Sequence, residues 1–82
     1  MLKYPGIIDD SDKRLCITFP DLGGSGTDGD TLEELIENAE DMLGAYLDVL
    51  IEMGKPIPKP SKPEGEKIIY IGVTLQVKYI AA

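Results

Sequence analysis

The sequence predicts an α+β fold: one β-β-β-α-β domain over residues 1–82, with a mixed sheet and one long helix on one face. Three observations lead there. Between Asp30 and Gly54, apolar residues recur at alternating steps of four and three, the spacing of one helical stripe. Arg14 to Phe19 and Lys67 to Ile80 alternate apolar and polar with the period of a strand. The strand runs lie on both sides of the helix, and that order predicts a right-handed crossover setting the first and last strands parallel.

Leu2 to Ile8 reads as the first strand, and Pro5 within it predicts a sheet edge or a bulge, because proline lacks a ladder donor. Asp9-Asp10-Ser11-Asp12-Lys13 is a turn, since Asp and Ser side chains accept bonds from nearby amides. Arg14 to Phe19 returns as the second strand of a hairpin, with Leu15, Ile17 and Phe19 on one face and Cys16 and Thr18 on the other. Pro20-Asp21-Leu22 then turns the chain into a glycine-rich run, where a short third strand fits around Gly24 to Thr27.

Thr31 and Glu34 have the spacing of a capping box, and Asp30 adds negative charge at the positive end of the helix dipole. The predicted stripe is Leu32, Ile36, Ala39, Leu43, Tyr46 and Leu50, widened by Leu35, Met42, Leu47, Val49 and Met53. Glu33, Glu37, Glu40, Asp41 and Asp48 form the polar face. Gly54 predicts a left-handed C-cap, Lys55 a favourable terminal charge, and Pro56 a stop. Lys55 to Lys62 alternates lysine and proline, which predicts a polyproline-like connector held by Ile57. The final strand, Lys67 to Ile80, puts Ile69, Ile71, Val73, Leu75 and Val77 on one face, with Gly72 at a bulge or close approach.

A domain of 82 residues has a small core, worth roughly 3–5 kcal/mol net, so self-association is expected. Its one cysteine permits no internal disulfide and sits in the apolar run Leu15-Cys16-Ile17, which fits packing in a reducing, cytoplasmic setting. No secretory segment is recognisable, and no apolar run approaches the ~20 residues of a membrane span. The net charge of −7 disfavours direct nucleic-acid binding and favours a basic partner. Ten of the fifteen acids lie between Leu15 and Gly54, where there is no Lys or Arg.

Most catalytic chemistry is excluded. With no histidine and one cysteine, the chain can build neither a zinc site of imidazoles and thiolates nor a Ser-His-Asp or Cys-His site. The glycine loop lacks the Gly-Lys-Ser/Thr ending of a phosphate-binding loop. Asp28-Gly29-Asp30 hints at a calcium loop, but Leu32 stands where a further oxygen ligand is needed. No cofactor and no metal are expected.

Four pieces carry a family resemblance: Tyr4-Pro5, Phe19-Pro20-Asp21-Leu22, Thr27-Asp28-Gly29-Asp30-Thr31-Leu32-Glu33-Glu34, and Gly54-Lys55-Pro56-Ile57-Pro58-Lys59-Pro60-Ser61. In order and spacing, over about residues 4–75, the chain resembles the HicB-like antitoxins. The resemblance implies a partial RNase H-like domain and a HicA-type toxin partner, a small basic mRNA endoribonuclease whose catalytic surface the antitoxin covers. Two departures stand out. The sequence stops at Ala82 with no C-terminal DNA-binding segment, and Gly23-Gly24-Ser25 replaces the Pro-Gly-Cys that often follows Asp-Leu in the family. An RNase H-like fold also raises the rival of a metal-dependent nuclease. That rival is disfavoured because neither Leu2–Ile8 nor Lys67–Ala82 contains an acid to join those of the helix. A stand-alone oligomeric scaffold or small-ligand module is the remaining alternative.

The expected reading is therefore a non-enzymatic antitoxin. Two acidic groups are candidates for its partner surface: Asp9, Asp10 and Asp12 in the first turn, and Asp28, Asp30, Glu33 and Glu34 at the helix start. Among the latter, Asp28 and Glu33 are expected to be the cleaner probes, because capping alone explains Asp30 and Glu34. A homodimer is expected through the last strand, with Val73, Leu75, Val77 and Tyr79 among its contacts.

Overall fold

The computed structural model describes residues 2–73. Strands β1 (Leu2–Asp9), β2 (Leu15–Phe19) and β3 (Ser25–Gly29) come first, with a short 3-10 helix, Pro20–Leu22, between β2 and β3. Helix α1 (Leu32–Glu52) and strand β4 (Ile68–Val73) follow. The sheet order is β3-β2-β1-β4, so the β-β-β-α-β order and the α+β class hold. The third strand lies slightly later than the glycines suggest, ending at Gly29 opposite Leu15.

One expectation fails. β4 pairs with β1 antiparallel, Leu2 opposite Val73 and Ile7 opposite Ile68, so every pairing among the described residues is antiparallel and the sheet is not mixed. The cause is the connector. α1 carries the chain to one end of the sheet, and residues 54–67 bring it back, so β4 starts again beside the end of β1. The Ile8 N–H donates to the Lys67 carbonyl at 2.8 Å there. On the way, the connector is fastened by the Tyr4 hydroxyl, which donates to the Pro58 carbonyl at 2.6 Å. The Ser61 N–H donates to an Asp21 carboxylate oxygen at 2.8 Å.

Pro5 also departs from expectation, for it lies in a central strand. The bond from Ile8 to Lys67 fixes the parity of β1, so the Pro5 nitrogen points away from β4 toward β2. The β1–β2 ladder covers only Ile7 to Asp9, so no donor is missed at Pro5.

The core lies between α1 and one face of the sheet: Tyr4, Ile17, Phe19, Leu22, Ile71 and Val73 meet Leu35, Ala39, Leu43 and Leu47. The helix is rotated from the predicted stripe. Leu35, Ala39, Leu43 and Leu47 form a pure four-residue row, while Leu32 is 50% exposed and Val49 51%. Such rows incline by about 26° to the helix axis, so burial along one means that α1 crosses the sheet obliquely. A stripe of alternating threes and fours describes a straight crossing, and only Ala39 and Leu43 belong to both centre lines.

Both helix ends are capped. The Thr31 hydroxyl accepts from the Glu34 N–H at 3.2 Å. The Glu34 carboxylate reaches one residue further than a capping box requires, accepting from the Asp30 N–H at 3.3 Å. At the other end Gly54 takes φ 69°, and the Gly54 and Lys55 amides donate to the Ile51 and Leu50 carbonyls. This is a complete Schellman closure.

Candidate functional site

Antiparallel pairing gathers five pieces at one end of the sheet: the end of β1, the turn into β2, the end of β3, the first turn of α1 and the start of β4. Both acidic groups sit there. Gly29 makes the approach of β3 to α1 possible, because a Cβ on it would lie 2.7 Å from the Leu35 nitrogen. Asp28 and Asp30 flank that contact.

Arg14, which no sequence motif marks out, stands at the centre of the group. The register setting Leu15 opposite Gly29 and Cys16 opposite Asp28 carries Arg14 to the side of Asp28 and Asp30. Its guanidinium donates from Nη2 to Asp28 Oδ1 at 3.2 Å and from Nη1 to Asp30 Oδ1, with Glu34 Oε1 3.8 Å from Nη2. The Asp28 hydrogen bond and charge, followed by Asp30 and Glu34, raise the Arg14 pKa above the ordinary guanidinium value. The Asn38 side-chain amide donates to the Asp28 backbone carbonyl at 2.9 Å, joining β3 to α1 once more. A third strand taken to end at Thr27 hides this grouping; pairing Gly29 with Leu15 reveals it.

The first-turn acids are also partly engaged. Asp9 accepts from the Ser11 hydroxyl at 2.6 Å and the Ser11 amide at 2.9 Å, and these bonds hold its pKa below the usual carboxylate value. Asp10 is held low by the Lys67 ammonium, which donates to it at 2.5 Å. Asp12 and Glu33 are exposed, and neither has a hydrogen-bond or ion-pair partner among the described residues. The structure thus corrects the choice of probes. Asp28 is tied to Arg14, and Asp12 takes its place beside Glu33 as an unencumbered acid.

Asp12, Lys13, Arg14, Cys16 and Asp28 line a shallow depression of about 460 Å³ on this end. Among the described residues, no group of three or more His, Cys, Asp or Glu could hold a metal ion. Nor is any helix there long and apolar enough to cross a membrane. Val73, expected at a self-association surface, is buried in the core at 5% exposure, whereas Leu75, Val77 and Tyr79 lie outside the described residues.

Comparison with known proteins agrees with this architecture. Antitoxin HicB 2 of Photorhabdus laumondii is 29% identical over 79 residues, which cover 96% of this chain and 56% of the relative. The chain thus spans little more than half the length of that protein. A solved HicA3 and HicB3 toxin–antitoxin complex contains a chain that superposes with a TM-score of 0.69 at 24% identity, over 89% of this chain and 99% of that one, a likeness of fold. Residues 4–70, a stretch that contains all four sequence pieces, match the HicB-like antitoxins of bacterial toxin–antitoxin systems, and the chain belongs to that family.

Proposed function

We propose that this chain is a cytoplasmic, non-enzymatic antitoxin that neutralises a small basic HicA-type mRNA endoribonuclease by covering its RNA-binding, catalytic face. Membership of the HicB-like family supports a toxin partner of that kind. The observation that carries the choice of surface is the convergence of both acidic groups on one end of the sheet. An RNA-binding toxin must present lysines and arginines, and a dense acidic end competes for them. Arg14 offsets part of that charge and holds Asp28, Asp30 and Glu34 together, leaving Asp12 and Glu33 to meet a cationic surface. Self-association of this chain is part of the same proposal.

The test is stopped-flow association of the purified chain with a HicA-type toxin. The double reversal Asp12→Lys with Glu33→Lys is expected to slow association and flatten its dependence on ionic strength, with the melting temperature nearly unchanged. Association as fast as the parent at low ionic strength would show that this end is only a solvated surface.

A further inference from the structure

We propose that the groove beside β4 takes an extended segment of a partner protein, one with a basic residue on its α1 side and an acidic residue next to it in sequence. The inference rests on this groove and not on the acidic end of the molecule.

β4 closes one side of the sheet, and no strand lies beyond it among the described residues. The Ile8-to-Lys67 bond turns the backbone groups of Ile69, Ile71 and Val73 toward β1, so alternation points those of Ile68, Tyr70 and Gly72 outward. Such a row of donors and acceptors can receive an added strand. Beside it runs a groove of about 360 Å³, lined by Leu32 and Ile36 of α1 and by Ile69 and Tyr70 of β4. Leu32 is 50% exposed and Tyr70 47%.

Two charges complete the groove. Leu32, Ile36, Glu40 and Gly44 form one four-residue row on α1. Gly44 stands against β4, since a Cβ on it would lie 3.9 Å from Val73. Glu40, one turn earlier, therefore borders the groove toward its Gly72 end. Lys3 lies on β1, on the face turned away from Tyr4 and the core, yet it lines the same groove. It stands opposite Gly72, which has no side chain to stop it reaching across β4. Both charges are exposed, and neither has an ion-pair or hydrogen-bond partner among the described residues.

These charges select the occupant. Successive residues of a strand point to opposite faces, so two neighbouring residues of an added strand meet both: a cation toward Glu40 and an anion toward Lys3. The next residues on the cation's face lie over Ile36 and Leu32 and are apolar. A second copy of this chain does not match, because Ile68-Ile69-Tyr70-Ile71-Gly72-Val73 has no charge to offer either group.

The test is an NMR titration of the isotope-labelled full chain with two blocked synthetic peptides, Thr-Val-Thr-Val-Asp-Lys-Thr and Thr-Val-Thr-Val-Lys-Asp-Thr. Each is also made with the charged pair ahead of the valines, to suit the other strand direction. The first puts lysine on the valine face, and the second exchanges the two charges. The first is expected to bind roughly tenfold tighter, shifting the Ile68, Tyr70 and Gly72 amides and protecting them from exchange. With Lys3→Glu and Glu40→Lys combined, in a chain whose circular dichroism matches the parent, the preference should invert. Four results would overturn the proposal: binding of neither peptide, equal binding of both, binding that leaves the three outward amides unprotected, or protection of those amides in the free chain. Protection that grew with concentration would assign the edge to a second copy.

Discussion

Leu43 shows how far a single residue can be judged from sequence. It lies mid-row on α1 and is fully buried, so Leu43→Ala is expected to cost about 2–5 kcal/mol. Glu37→Ala, on the exposed face, is expected to be near neutral, and chemical denaturation compares the two directly. Arg14 shows the opposite case. Nothing in its immediate neighbours marks it out, because its partners arrive through strand register and a helix cap from a later part of the chain. The pH response belongs to this scale too. Asp9 and Asp10 have folded-state pKa values below the ordinary 3.8, so their stabilising contribution is present above that pH and fades as pH falls through the folded values. Melting temperature should therefore drop on acidification below about pH 4, and Lys67→Met should shrink the part of the drop that belongs to Asp10.

At the scale of elements, α1 was legible because its caps and its period are local features. Thr31, Glu34 and Gly54 all act within a turn of where the sequence puts them. The rotation of its buried row was not legible, since it depends on the angle at which the helix meets a twisted sheet. Gly54 gives the sharpest test of the closure. Its φ of 69° is strained for any residue with a Cβ, so Gly54→Ala should destabilise by about 1–2 kcal/mol, measurable by thermal or urea unfolding. The two wrong strand expectations share a cause. Pro5 and the supposed parallel pairing both turn on which strands become neighbours, and that is decided by a connector with no strong periodicity of its own.

For the whole molecule, strand order converts two separated runs of acids into one charged end, and the association experiment above tests whether a toxin uses it. The sequence made both groups of acids visible but not their convergence with Arg14 and Lys67, which required the antiparallel register. The same topology bears on synthesis. Among the described strands β1 is made before the other three, yet one of its sides is completed only by β4, with Leu2 waiting for Val73. Loop closure over nearly the full described chain makes that pairing slow relative to the neighbouring hairpins. A nascent or truncated chain lacking β4 is therefore expected to carry β1 with an open side, and limited proteolysis of a chain truncated before Ile68 should cut within β1 faster than in the full chain.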